Sequence, residues 1–213
     1  MTTLVTFGPT QEPLDAMRIL SNRSTGALGT ELALTMAQAG HQVIALRGTG
    51  ATADTGNLVK ADIRILPFTT TEDLRRTLEQ LSETTIVDAI FHLAAVSDFY
   101  FPGAGNGKIP TSAGPFTLTL EPTPKILPLL RGWFPTAQIT GWKFEASEIA
   151  RSEDQALATT RAQITRADTD ACVLNGSSYG KGFGFLGKEA GSFRHLATST
   201  ELCEFLRDQL GKR

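Results

Sequence analysis

The sequence has only two cysteines, two tryptophans, two tyrosines and three histidines in 213 residues. Cys172 and Cys203 stand alone, so neither a disulfide framework nor a cysteine-rich zinc site is suggested. Cys203 falls in the apolar run of the last helix and reads as a core residue. No apolar stretch approaches the ~20 residues that span a bilayer. The start, MTTLVTFGPT, lacks the basic residues and apolar run of a secretory signal, and the expected compartment is cytoplasmic. An excess of charge is lacking too: 20 basic against 22 acidic side chains leave a net of −2. That balance offers no field for nucleic acid or an anionic membrane, so any bound phosphate must be held by local groups.

Hydrophobic residues make up 41% and charged ones 20%, ordinary for a globular chain, and the length suits one sizeable domain. Short apolar runs alternate with helical periods through the first half. The pattern predicts an α/β, Rossmann-like fold: a doubly wound, mainly parallel sheet with helices on both faces. Expected strands are Leu4–Phe7, Gln42–Leu46, Ile63–Leu66, one within Val87–Val96, Ala137–Trp142 and Ala171–Leu174. Expected helices run from Ala27 to Ala39, through the Leu74, Leu78, Leu81 stripe, over Pro124–Arg131 and Ser147–Arg166, and at the C-terminus through Leu202, Phe205, Leu206 and Leu210. Thr69 with Glu72, and Thr198 with Glu201, have capping-box spacing. Residues 99–121, rich in glycine and proline, read as a flap inserted in a single domain covering 1–213, and Gly176–Gly191 as a glycine-rich loop.

The strongest chemical signal is SNRSTGALG, Ser21–Gly29, where a loop turns into a helix at Gly26 and Gly29. Free N–H groups at a helix start bind phosphate, and glycine lets the anion approach; an ordinary capped helix start is the plainer alternative. The dinucleotide fingerprint is absent, because Ser24 stands where its first glycine belongs. Arg47, at the end of the second strand, could in principle face the extra phosphate of NADP. A short-chain reductase needs a tyrosine with lysine four residues on, yet Tyr100 and Tyr179 are followed there by Ala104 and Phe183. Gly176–Gly180 formally matches the esterase elbow, but the KGFGFLGKEAG that follows is no helix. His92 reads as a core histidine, and Asp98, at a strand's carboxyl end, as a ligand or metal contact.

In sum, these segments resemble the phosphopantothenate–cysteine ligase family. The resemblance rests on VTFGPTQEPLDAMRILSNRSTGALG (Val5–Gly29), HLAAVSDFY (His92–Tyr100), GKIP (Gly107–Pro110), TPKILPLLRGWFPTAQITGWKFEA (Thr123–Ala146) and ACVLN (Ala171–Asn175), in order along nearly the whole chain. It implies activation of 4′-phosphopantothenate by CTP or ATP with Mg²⁺, then capture of the acyl nucleotide by cysteine. By the same resemblance Gly8, Ser24, Gly26 and Gly29 would cradle the nucleotide phosphates, and Trp142 and Asn175 would meet the nucleoside. Asn22 would bind the carboxylate and the intermediate, helped by Ala94, Ala95 and Asp98. Arg18 would engage cysteine or the intermediate, and Lys108 would neutralise charge from the flap.

A homodimer is implied, part of the pocket coming from the second subunit. A monofunctional ligase without FMN is expected, acting on small molecules and not on nucleic acid or membrane. Three departures stand out: Pro9 in the opening turn, Ile109-Pro110-Thr111 after Lys108, and Gly176 where aspartate often stands. The rival readings are a diverged nucleotide-binding paralogue without ligase activity and, behind it, an NAD(P)-dependent reductase.

Overall fold

β-Branched and apolar residues fill TTLVTF, and Thr2–Phe7 forms β1, buried along almost its whole length. Burial on both faces is what a strand inside a parallel sheet requires, and β4 (Gln42–Gly48) and β6 (Ala89–His92) share it. The computed structural model describes residues 1–110, 114–115, 117–146 and 152–210. With β5 (Arg64–Phe68), β9 (Gln138–Phe144), β10 (Ala171–Asn175), β11 (Phe183–Gly187) and β12 (Arg194–Leu196), these strands make one eight-stranded sheet in the order β12-β11-β10-β9-β6-β1-β4-β5. Pairing is parallel from β5 to β10 and antiparallel for β10–β11 and β11–β12. Helices cover both faces, so the expected Rossmann-like, doubly wound α/β architecture is the one observed.

One face carries α1 (Ala27–Gln38), α2 (Gly56–Lys60) and α6 (Ser199–Leu210), whose Leu32, Met36, Leu58, Leu202 and Leu206 bury against β1, β4 and β10. The other carries α3 (Thr71–Thr84), α4 (Leu130–Trp133) and α5 (Glu153–Ala167). The Leu74, Leu78, Leu81 stripe of α3 packs with Leu130 on Leu4, Ile44 and Ile90. Two short hairpins lie outside the sheet: β2 (Gln11–Pro13) with β3 (Ile19–Ser21), and β7 (Phe99–Tyr100) with β8 (Glu121–Pro122).

Several boundaries differ from expectation. The capping box of α3 sits one residue later, at Thr70 and Asp73, because the Asp73 carboxylate reaches back to the Thr70 N–H. Glu72 is drawn instead to Arg75 and Arg76 on the exposed face. The glycine-rich stretch 176–191 is not all loop: Phe183–Gly187 extends the sheet as β11. The helix expected over Pro124–Arg131 is a 3-10 turn at Leu127–Leu129 running into α4. Helix α5 starts at Ser152, whose side chain caps it, and the expected start at 147–151 lies outside the described residues, as do flap residues 111–113 and 116.

Gly29 is fixed by packing. A methyl added there would lie 2.2 Å from Cβ of Phe7, closer than any real contact, so α1 rests directly on β1. Gly29→Ala is therefore expected to destabilise the ligand-free chain by about 2 kcal/mol, read as a lower urea midpoint. A parent-like midpoint would mean that α1 lifts off β1 without cost.

Candidate functional site

The sheet's order reverses between β1 and β6, and in such sheets ligands bind beyond the carboxyl ends of the strands at that point. Here the β1–β6 ladder runs on past both strands as a bridge between Pro9 and Ala95. The Ala95 N–H donates to the Gly8 carbonyl at 2.9 Å, and the Thr10 N–H donates to the Ala95 carbonyl at 3.3 Å. Gly8 turns with φ +83°, and a Cβ there would come within 2.8 Å of the Ala51 methyl. Gly26, at φ +77°, is the N-cap of α1 and approaches the same methyl. The N-cap Gly26 has no side chain to cap α1, Thr25 Oγ1 takes only the Ala27 N–H at 3.3 Å, and the first turn holds no acidic residue, so the N-terminal partial charge meets no carboxylate. Ser24 is half-buried just before that turn.

Asn22 joins the two halves of this edge. Its Nδ2 donates to the Val96 carbonyl at 2.9 Å and to the Ala95 carbonyl at 3.5 Å. Gly8, Gly26, Gly29, Asn22, Ala94 and Ala95 thus gather at one crevice. The Ala94 N–H is used internally too, donating to Thr6 Oγ1 at 3.4 Å. Pro9 has its own logic here. Its nitrogen and carbonyl lie beside Gly48, where an added Cβ would meet them at 3.1 and 2.3 Å. The N–H that proline lacks would thus have faced the end of β4.

Beyond Val96 the crevice widens into a cavity of about 440 Å³ lined by His92, Asp98, Lys125, Trp142, Gln163 and Arg166 among others. Asp98 is exposed and forms an ion pair with Lys125. Trp142 Nε1 is buried and has no hydrogen-bond partner among the described residues, so the indole keeps a donor unspent. His92 shares its Nδ1 with Thr6 Oγ1 at 2.8 Å, and burial pushes its pKa down to about 4, which leaves the imidazole neutral at pH 7.

Arg18 and Lys108 form a separate group. Arg18 Nη1 donates to Asp15 Oδ2 at 2.9 Å and to the Ile109 carbonyl at 3.5 Å. Lys108 is exposed, and its ammonium has no partner among the described residues. Extended β3 separates Arg18 from Asn22, roughly 13 Å of chain at strand spacing. Arg18 bonds to Asp15 and Ile109 and Asn22 to Ala95 and Val96, so among the described residues no bond links the two groups within one protomer.

Asn175 closes β10, and its carbonyl accepts the Glu145 N–H at 2.9 Å. Gly176 follows with φ +118°, and a Cβ would lie 2.3 Å from the Glu145 carbonyl, so an aspartate does not fit this backbone. Ser178 is buried with its hydroxyl on the Glu145 carbonyl, which removes the esterase elbow as a nucleophile. Arg47 turns inward and donates to the Ala51 carbonyl, bracing the loop against Gly8 and Gly26. Among the described residues no group of three His, Cys, Asp or Glu side chains could hold a metal, and no helix is long and apolar enough to cross a membrane. Asp15 and Lys125 were not singled out from the sequence; the signal for each is an opposite charge brought near only by folding, Asp15 to Arg18 and Lys125 to Asp98.

Against this geometry, the family model described as the DNA/pantothenate metabolism flavoprotein C-terminal domain matches residues 1–204. The coenzyme A biosynthesis bifunctional protein CoaBC of Thermococcus kodakarensis is 30% identical over 216 residues, covering 98% of this chain and 50% of that protein. Human phosphopantothenate–cysteine ligase is 30% identical over 195 residues, covering 67% of this chain and 63% of that protein. The chain thus spans about half the length of the CoaBC proteins it matches. The crystal structure of the DNA/pantothenate metabolism flavoprotein from Streptococcus pneumoniae superposes with a TM-score of 0.82 at 24% identity, over 99% of this chain and 98% of that one, and shares the fold.

The state of His92 has a measurable consequence. Its folded pKa lies below the unfolded value of 6.5, so between pH 6.5 and about 4 the unfolded chain binds the extra proton. Stability is expected to fall as pH drops through that window, by on the order of 3 kcal/mol, and then to level off. Urea unfolding followed against pH should show the slope in the parent and a flatter curve for His92→Gln. Equal slopes would show that His92 titrates normally.

Proposed function

The chain belongs to the DNA/pantothenate metabolism flavoprotein C-terminal domain family, and on that premise we propose that it ligates 4′-phosphopantothenate to cysteine, using CTP or ATP. The single observation that carries this reading is the crevice at the β1–β6 switch point. There the uncapped start of α1, the Gly8 turn and the Asn22 amide converge on the Ala94–Val96 strand end. The reaction has two steps. The phosphopantothenate carboxylate attacks the α-phosphorus of the nucleotide, forming an acyl nucleotide and releasing pyrophosphate. The cysteine amine then attacks the acyl carbon, the nucleotide monophosphate leaves, and an amide remains.

Each role suits the group at that position. Backbone donors around Gly8, Gly26 and Gly29 with the Ser24 hydroxyl receive the triphosphate, at a helix start whose dipole favours anions. Asn22 offers a donor and an acceptor without charge, which suits a group that must hold a carboxylate and then its neutral acyl form. Lys108, exposed and without a partner among the described residues, neutralises the charge that builds on phosphoryl oxygens. Trp142, within β9 opposite Val173, and Asn175, at the end of neighbouring β10, meet the nucleoside. Ala94 and Asp98, on the cavity wall, and Ala95, whose carbonyl the Asn22 amide reaches, help Asn22 hold the carboxylate and the intermediate.

Mg²⁺ suits a site without an all-protein cage, since it is commonly held through substrate phosphates and one or two carboxylates. Asp98 is the carboxylate at this edge, and the ion would offset phosphate charge. That Arg18 is bonded to Asp15 and Ile109 and not to the Asn22 crevice suits a homodimer in which Arg18 acts in the partner's crevice. Exposed Met17 and Ile19 beside Arg18 suit a surface that a second copy covers. Residues 1–213 then act as a single unit with the flap at about 99–121.

The test is pyrophosphate release from the purified chain with phosphopantothenate, cysteine and Mg²⁺, with CTP and ATP in separate reactions. Release that requires phosphopantothenate in either reaction supports ligation; Asn22→Asp and Lys108→Gln should each lower it by roughly 10²–10³-fold. Nucleotide binding without any release would favour a diverged nucleotide-binding protein, and full activity in both variants would sink the residue assignment.

A further inference from the structure

Asp15 is an acidic side chain in a chain segment otherwise notable for its cation, and it is almost completely withdrawn from water, at 5% exposure. A buried carboxylate is stable only when its lone pairs are filled, and here four donors fill them. Oδ1 accepts the N–H groups of Met17 at 2.7 Å and Arg18 at 2.8 Å. Oδ2 accepts the Arg18 guanidinium at 2.9 Å and the N–H of Ile109 at 3.0 Å. The last bond spans 94 residues of sequence and ends on the residue after Lys108. Two lesser contacts repeat the connection: Ala16 N–H to the Gly107 carbonyl at 3.4 Å, and Arg18 Nη1 to the Ile109 carbonyl at 3.5 Å.

We propose that Asp15 is a positioning residue that fastens the Lys108 stretch of the flap to the Arg18 turn, so that both cations are presented to substrate as one unit. This rests on the ligase reading for what the cations do, but the fastening itself is a statement about geometry. One carboxylate oxygen holds the Arg18 side chain and the flap backbone together, and the other fixes the turn that carries Arg18. Neither cation contacts the other, and none needs to. The Ile109 N–H fixes the backbone beside Lys108 while the ammonium stays free. The donors also hold the carboxyl well below the usual carboxylate range, the Ile109 N–H foremost, so the fastening is fully charged at neutral pH. An ordered flap with a free lysine lowers the entropy that must be lost on reaching the transition state.

The experiment compares the full chain with Asp15→Asn. Asparagine keeps the shape and can still accept from Met17 and Arg18, but its amide nitrogen cannot accept from Ile109. Amide hydrogen exchange at Ile109 should quicken by about tenfold or more. Pyrophosphate release should fall through kcat, with the nucleotide KM unchanged. Ile109→Pro, which removes the N–H that Asp15 accepts and also fixes φ at 109 and narrows the backbone of Lys108, should reproduce the kcat loss with a parent-like melting temperature, and it carries the test if Asp15→Asn does not fold. Unchanged exchange at Ile109 in Asp15→Asn, or full kcat in Ile109→Pro, would overturn the proposal. A parent chain that releases no pyrophosphate would sink the ligase reading instead, while the exchange measurement would still decide whether Asp15 holds the two segments.

Discussion

The pairing of β1 with β6, carried one step past both strands by Pro9 and Ala95, is the constraint from which the candidate site follows. In a parallel ladder one residue accepts and donates to the two neighbours of its partner, so Ala95 takes up the Gly8 carbonyl and the Thr10 N–H. That leaves Pro9 pointing to the other side, at Gly48, where proline's missing N–H removes no bond from the Ala95 side of the ladder. Because the ladder holds Ala94 to Val96 flush with Gly8, the Asn22 amide can span from the incoming loop to the Val96 carbonyl. Breaking this pairing would separate the glycine turn from the strand end at one stroke.

Around that ladder the glycines serve two different ends. Gly8 and Gly26 permit a left-handed turn against the Ala51 methyl, and Arg47 braces the Ala51 loop from beneath. Gly29, one turn into α1, permits contact with Phe7 and has little freedom for anything else. The anion-attracting feature of this edge is therefore the uncapped start of α1 itself. A chain with a net charge of −2 draws phosphate by such local donors and not by a long-range field.

Much of this was legible because parallel strands buried on both faces read as unbroken apolar runs, as VIAL and AIFH do. The β11–β12 hairpin was hidden because FGFLG alternates aromatic or aliphatic residues with glycine, and glycine weakens any strand signal. The α3 cap slipped by one residue because Thr69–Glu72 and Thr70–Asp73 have the same spacing, and contacts distant in sequence accompany the choice: Thr69 bonds Gln11 and Thr49, and Thr71 bonds Glu12. At the site, the residues within SNRSTGALG and AAVSD were readable as local motifs. Asp15 and Lys125 were not, since each takes its meaning from a partner chosen by the fold: Ile109 lies 94 positions from Asp15, and Asp98 lies 27 from Lys125.

Lys125, Arg18 and Lys108 differ in how firmly they are held, and the difference has a physical cause. Lys125 and Asp98 are both about two-thirds exposed, so their pairing in water is worth on the order of 0–1 kcal/mol and can be exchanged for a bond to a phosphate. Arg18 faces a carboxylate whose side chain is 1% exposed. Withdrawing the guanidinium would leave the covered Asp15 carboxylate with three N–H donors and no countercharge, a larger cost than parting the exposed Lys125–Asp98 pair. Lys108 has no partner among the described residues to give up. Of the three, one cation is therefore free, one trades partners cheaply and one is held by a buried carboxylate. Lys108 belongs to the flap and Arg18 is tied to it through Asp15, so a flap that moves must carry Arg18 with it or part from Asp15 first.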